Sequence, residues 1–211
     1  MKRRLRQIPI LSIVVLLISS LVDAGTPVKE KKEKKETTDN YFPLQQGNEW
    51  HFERTAPGKP VSVVYRIGKI ENINGVDLAR LDVEIDGTSF PNAEHLRQSD
   101  KGVFRHRLSG VEVDPPLCIL RYPAKPGDKW GGEITVGTDK GAYGCETVEE
   151  NIEVAAGKFK AMRVNLRLDY KELTVKVSYW FVKDIGYVKQ TFDFGGAVAV
   201  QHELHSFQPQ K

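Results

Sequence analysis

The sequence predicts an all-β, antiparallel, internally duplicated fold, and three observations carry that reading. Gly and Pro punctuate runs rich in Val, Ile, Thr, Tyr and Phe at intervals of roughly 8–12 residues. Within those runs apolar and polar residues alternate, the period of a strand with one buried face. The stretch Phe42 to Thr55 also returns at Tyr122 to Thr135, with proline, glycine, tryptophan, glutamate and threonine in the same order. No long helix is expected in this domain. Pro91-Asn92-Ala93-Glu94 is the best candidate for a helical turn.

Taken in order, the chain opens on a secretory signal helix. Lys2, Arg3, Arg4 and Arg6 precede an apolar run from Ile8 to Val22, and Val22-Asp23-Ala24 sets small residues before a cleavage site between Ala24 and Gly25. The run is roughly 15 residues, short of the ~20 a spanning helix needs. The alternative is an uncleaved anchor over residues 8–22. No Cys follows the run, which argues against a lipoprotein route. Removing residues 1–24 takes four of the 31 basic residues and one of the 28 acidic ones, leaving 27 of each. Nucleic acid, which needs a surplus of Lys and Arg, is therefore not an expected partner. Residues 25–40 form a charged linker. Lys29 to Glu36 alternates Lys and Glu without one apolar residue, and reads as a disordered, solvated tether.

The domain proper runs over 41–211, long enough for one core without metals or multiple staples. Val61 to Gly68 reads as a strand. Ile70 to Ile73 leads into Asn74-Gly75, a hairpin signal because both turn positions need positive φ. The return strand, Val76 to Asp86, puts Ala79, Leu81, Val83 and Ile85 on one face and charged residues on the other. The second half repeats this pattern. Ala156-Gly157 turns the chain, and Met162, Val164, Leu166 and Leu168 then fall 83 residues after the first apolar set. A third match, at an offset of 84, sets Asp100 to Arg105 against Asp184 to Lys189. Trp50 with Trp130, Gly75 with Gly157, and Gly102 with Gly186 thus anchor two repeats, 41–121 and 122–207. Each has one apolar face, so the two are expected to bury theirs together as a sandwich or a curved, partly closed barrel.

Cys118 and Cys145 are the only cysteines. An exported chain meets an oxidising compartment, and no third thiol is left over, so a disulfide stapling the repeat junction is expected. It would close a loop of about 28 residues, worth roughly 3–4 kcal/mol in the chain-entropy model.

Several of these residues carry a family likeness. Phe42-Pro43-Leu44 with Gly47-Asn48 and Trp50 resembles the opening of bacterial exported proteins catalogued as TapB-like, a domain of unknown function. Ala156-Gly157 with Phe159, Ala161, Arg163 and Val164 resembles their central hairpin. Tyr179-Trp180-Phe181 with Ile185 to Lys189 resembles their closing aromatic strand and glycine turn. The resemblance implies an antiparallel β fold in the cell envelope and no established activity.

Candidate chemistry is sparse. Trp50 and Trp130 occupy equivalent repeat positions, which favours packing over ligand stacking. Of Tyr179, Trp180 and Phe181, one is expected to face solvent or a cleft, since neighbours on a strand point opposite ways. His202-Glu203-Leu204-His205 is one residue short of the zincin pattern, and on a strand its histidines diverge, so no metal site is expected. His51, His95 and His106 read as solvent-facing or hydrogen-bonded. No nucleophile elbow, phosphate loop or dinucleotide fingerprint occurs. Glu149, Glu150 and Glu153 read as solvated strand residues.

The expectation is a non-enzymatic, cofactor-free β domain, periplasmic or secreted, serving as a binding or structural module in the envelope. Its partner is an unknown envelope component or an apolar ligand, with membrane contact only through an uncleaved signal. The alternative is a lipid or apolar-ligand carrier, and a hydrolase is a third class. Whether Leu81, Val83, Ile85, Val164, Leu166 and Leu168 fill the interior separates the first two.

Overall fold

Twelve strands make up the protein in a computed structural model that describes residues 40–55, 59–170, 173–195 and 200–210. The expected signal helix, the cleavage site at Ala24 and Gly25 and the linker up to residue 39 lie outside the described residues. The strands are β1 (Glu49–Thr55), β2 (Val61–Ile73), β3 (Val76–Ile85), β4 (Thr88–Ser99), β5 (Gly102–Leu108), β6 (Val111–Arg121), β7 (Lys129–Val136), β8 (Asp139–Val154), β9 (Gly157–Tyr170), β10 (Leu173–Val182), β11 (Gly186–Asp193) and β12 (Val200–Gln208).

Each strand pairs antiparallel with its sequence neighbours, and β1 pairs with β12 as well as with β2. The sheet is therefore a closed barrel. This corrects the expected sandwich or partly closed barrel: with twelve strands the two edges meet, and each satisfies the other's backbone groups. Turns alternate between two ends. We call the end holding Asn74-Gly75 the foot and the end holding Asp86-Gly87 the mouth.

Turn chemistry explains several hairpins directly. Asn74 and Gly75 have φ of 53° and 80°, the two positive values that a two-residue turn between twisted strands requires. The expected turn at Pro91 to Glu94 is instead a bulge inside β4. Asn92 adopts φ of 58°, the β3–β4 register slips between Leu81 and Val83, and the Asn92 N–H donates to the Asp82 carboxylate at 2.9 Å. The two strand segments read on either side of Gly68 are likewise one strand, β2, with a register shift at Gly68.

The foot is closed by the chain itself. Residues 40–48 cross it: the Asp184 N–H donates to the Asn40 carbonyl, Gly47 N–H to the Ile67 carbonyl, and the Asn48 amide to the Pro43 carbonyl. Phe42 drops into the interior, with ring centroids 4.7 Å from Tyr187, 5.2 Å from Trp50 and 6.2 Å from Phe181. It is 1% exposed, and burial of such a ring contributes roughly 1.5–3 kcal/mol.

One seam is weak. β6 and β7 pair only at Val113 with Val136 and Asp114 with Thr135. Below that the Trp130 indole fills the gap and donates to the Cys118 carbonyl at 2.8 Å. This arrangement corrects the expected disulfide, because Cys118 and Cys145 are both free and buried. They stand on β6 and β8, with β7 between. Trp130 stands opposite Cys145 in register, and strands two apart in a sheet lie roughly 9–10 Å from each other, beyond the ~7 Å that a bridge spans. The Cys145 thiol instead approaches the Cys118 carbonyl, at 3.8 Å.

The outer wall carries ion pairs: Arg66 with Glu49, Arg163 with Glu150 and Lys189 with Glu203. A lipid-facing barrel wall needs an apolar band there. Among the described residues no helix is long and apolar enough to cross a membrane. Trp180 lies on this outer wall, yet it is only 8% exposed. Arg163 and Lys189 cover its ring at 5.7 and 5.6 Å, and its indole donates to Glu150. Tyr179 and Phe181 point inward and are buried. The expectation that one of the three faces solvent or a cleft is therefore corrected by side chains that reach over the strand.

Candidate functional site in the barrel mouth

The six residues that decide whether the interior is filled divide evenly. Leu81, Val164 and Leu166 are 1%, 0% and 2% exposed. Val83, Ile85 and Leu168 are only partly buried. The division follows the barrel axis, since in both β3 and β9 the open residues lie nearer the mouth. Other inward-facing residues agree. Phe90, opposite Val83 in register, is 39% exposed. Val175, opposite Leu168, and Phe192, opposite Val177, are partly buried. Leu173 and Phe194, at the rim, are each 48% exposed. Inward-facing residues nearer the foot are buried, and those nearer the mouth leave apolar surface partly exposed; we call that end the cup.

A polar layer floors the cup. Arg105 on β5 donates from Nε and Nη2 to both carboxylate oxygens of Glu94 on β4, each at 2.9 Å, and from Nη2 to the Tyr179 hydroxyl at 3.1 Å. Burial works against the guanidinium charge, and the Glu94 carboxylate overcomes it, holding the Arg105 pKa above its ordinary value. The Tyr65 hydroxyl donates to Gln190 at 3.1 Å and lies 3.0 Å from His202 Nδ1. Burial, aided by the Arg54 charge, lowers His202 to about 4, so the imidazole is neutral near pH 7. Burial raises the Tyr65, Tyr179 and Tyr187 phenols, so all three stay protonated. This layer holds its groups paired or neutral, and it presents no activated nucleophile.

The repeat anchors singled out from the sequence lie elsewhere. Trp50 and Trp130 are each the second residue of their strand, β1 and β7. Gly75 and Gly157 belong to the β2–β3 and β8–β9 hairpins, and Gly102 and Gly186 open β5 and β11. All six sit at the foot. His202 faces the interior and His205 faces out, its side chain 51% exposed, so the two diverge as their strand requires. A concavity of about 660 Å³ lies at the foot between residues 40–45 and β2 to β4, lined by Asn40, Asp77, Arg97 and Gln98 as well as by Phe42 and Ile70.

Sequence reasoning missed Arg54, Glu94, Arg105 and Gln190. A signal existed for three of them. Arg54 follows Trp50 and Phe52 on the apolar phase of β1, Glu94 precedes Leu96, and Arg105 follows Val103. A charge on the inward phase of a strand marks a buried ion, paired or waiting for a partner.

No protein-family model matches the chain, and no curated protein matches it. The TapB-like resemblance therefore gains no support from those comparisons. Two solved structures are similar. One is a "putative lipoprotein" of Parabacteroides distasonis ATCC 8503, 13% identical over 82% of this chain and 100% of its own, with a TM-score of 0.47. The other is a "putative exported protein with YmcC-like fold" of Bacteroides fragilis NCTC 9343, 16% identical over 81% of this chain and 100% of its own, with a TM-score of 0.46. Likeness at this level speaks to neither ligand nor activity.

Proposed function

We propose that this chain is a non-catalytic binding module of the cell envelope, and that the barrel mouth receives an apolar ligand. The observation that carries the reading is the split of inward-facing residues along the axis: buried nearer the foot, partly exposed nearer the mouth. Apolar surface left facing inward is stabilised by whatever removes it from water, at about 25 cal/mol per Å². The carrier reading and the binding-module reading thus converge on one end of the barrel. Export rests on the N-terminal signal pattern, and cleavage after Ala24 is checked by N-terminal sequencing of the exported protein. Descent from a duplication is supported by the like strand positions of Trp50 and Trp130 and of Gly102 and Gly186.

The test is binding of the uncharged fluorescent probe N-phenyl-1-naphthylamine to the purified protein. Saturable binding is expected, weakened at least about tenfold by Phe90→Asp, because a charge in an apolar pocket costs well over 1.4 kcal/mol. Ile70→Asp, at the foot, is expected to leave binding unchanged. Absence of saturable binding, or equal loss in both variants, would refute the mouth as the site.

A further inference from the structure

Among the described residues, one inward-facing charge in the cup has no ion pair. Arg54 shares the inner face of β1 with Trp50 and Phe52, and stands opposite Val61 on β2 and His202 on β12. Its Nε is buried without a hydrogen-bond partner. The other guanidinium of the interior, Arg105, is already held at two points by Glu94. The nearby polar groups of the floor offer Arg54 no negative charge: Tyr65 is a protonated phenol, His202 is neutral and Gln190 is uncharged. The buried Nε has given up hydration with no hydrogen bond in return. An anion in the cup would repair that deficit through charge-assisted, two-point hydrogen bonds, the geometry that a guanidinium offers to carboxylate and phosphate.

The apolar wall sets the rest of the ligand. On the side of β9, β10 and β11, beyond the level of Arg54 in register, the interior is lined by Leu168, Val175 and Phe192, with Leu173 and Phe194 at the rim. We infer that the mouth binds an amphiphile with a single anionic head group, a carboxylate or a phosphate, seated on Arg54, its hydrocarbon chain running toward the rim. This rests on the mouth being the ligand site and adds the charge of the ligand and its direction. A head-down arrangement leaves Glu94 and Arg105 paired, and it covers half-exposed apolar surface that a free inorganic anion would leave wet.

Displacement of N-phenyl-1-naphthylamine from the purified protein tests it. The competitors are oleate, 1-oleoyl-lysophosphatidate, oleyl alcohol and inorganic phosphate. Oleate or the lysophosphatidate is expected to displace the probe at concentrations at least about tenfold below oleyl alcohol, the weight of one charged hydrogen-bonded contact. Which of the two does so identifies the head group. Inorganic phosphate is expected to do nothing. Arg54→Gln is expected to erase the advantage of the acid over the alcohol without weakening the alcohol, and Arg54→Lys to retain most of it. Comparison of acid and alcohol on the unmodified protein holds even if a variant folds poorly. Equal competition by oleate and oleyl alcohol overturns the anionic head while leaving the apolar site standing. Competition by inorganic phosphate alone overturns the amphiphile. If the probe itself does not bind, both readings fall.

Discussion

Lowering the pH from 7 to 5 is expected to cost this protein about 2 kcal/mol through His202 alone. The imidazole is 6% exposed and lies 3.0 Å from the Tyr65 hydroxyl. Burial and then the Arg54 charge hold its pKa at about 4, against an ordinary value of 6.5. The folded state resists the proton that the unfolded chain accepts. Stability from this group is therefore complete above pH 6.5, declines as the pH falls toward 4, and is gone below it. The full loss is about 3.4 kcal/mol at 1.36 kcal/mol per pKa unit, of which roughly half falls between pH 7 and 5. Carboxylates whose folded pKa is depressed, such as Glu49 and Glu71, lose their contribution only below their ordinary value of 4.5. His106, also lowered by burial, acts in the same direction and needs its own control. Urea unfolding at pH 7, 6 and 5 measures the effect on the unmodified protein, on His202→Gln and on His106→Gln. His202→Gln is expected to be weaker at pH 7 by about 1 kcal/mol for the altered hydrogen bond, yet to lose almost nothing further by pH 5. Equal losses in His202→Gln and the unmodified protein would refute the buried, neutral imidazole.

Three more outcomes are expected. Arg105→Met strands the Glu94 carboxylate and should cost roughly 3–5 kcal/mol, whereas Arg105→Met with Glu94→Met should recover most of it; a double variant no more stable than the single one would contradict the pairing, as measured by urea unfolding. Gly102→Ala should cost more than Gly75→Ala by about 1–3 kcal/mol, an estimate from the strain of a sparsely allowed backbone. Both have positive φ, but a Cβ at Gly102 would fall 2.1 Å from the Leu120 carbonyl oxygen, while at Gly75 it meets open space; equal thermal melts would count against that close approach. Thiol titration at pH 8 should find two free thiols per chain in denaturant and almost none reacting in the folded state, since burial raises Cys118 to about 11 and Cys145 further still; an unreduced, denatured chain without free thiols would restore the bridge.

The sequence by itself determined the all-β class, several of the strands and some of their turns. Alternation in Val76 to Asp86 and Phe159 to Asp169 follows from a two-residue period, and Asn74-Gly75 needs only its own φ values; both are local properties that a chain carries wherever it goes. It also placed His202 and His205 on opposite faces, for the same reason. Closure was a tertiary decision. The pairing of β1 with β12 joins residues such as Trp50 and Phe207 across most of the chain, and no local pattern records how many strands a sheet takes before its twist brings the edges together. The free thiols were decided there as well, because strand order puts β7 between Cys118 on β6 and Cys145 on β8. So was the cup. The apolar face of Val83 reads no differently from that of Leu81, and only depth along the barrel axis leaves one open and the other filled. Arg54 was visible as a charge on the wrong phase of a strand, but that Glu94 pairs with Arg105 and leaves Arg54 without a partner depends on which side chains the closed barrel brings face to face.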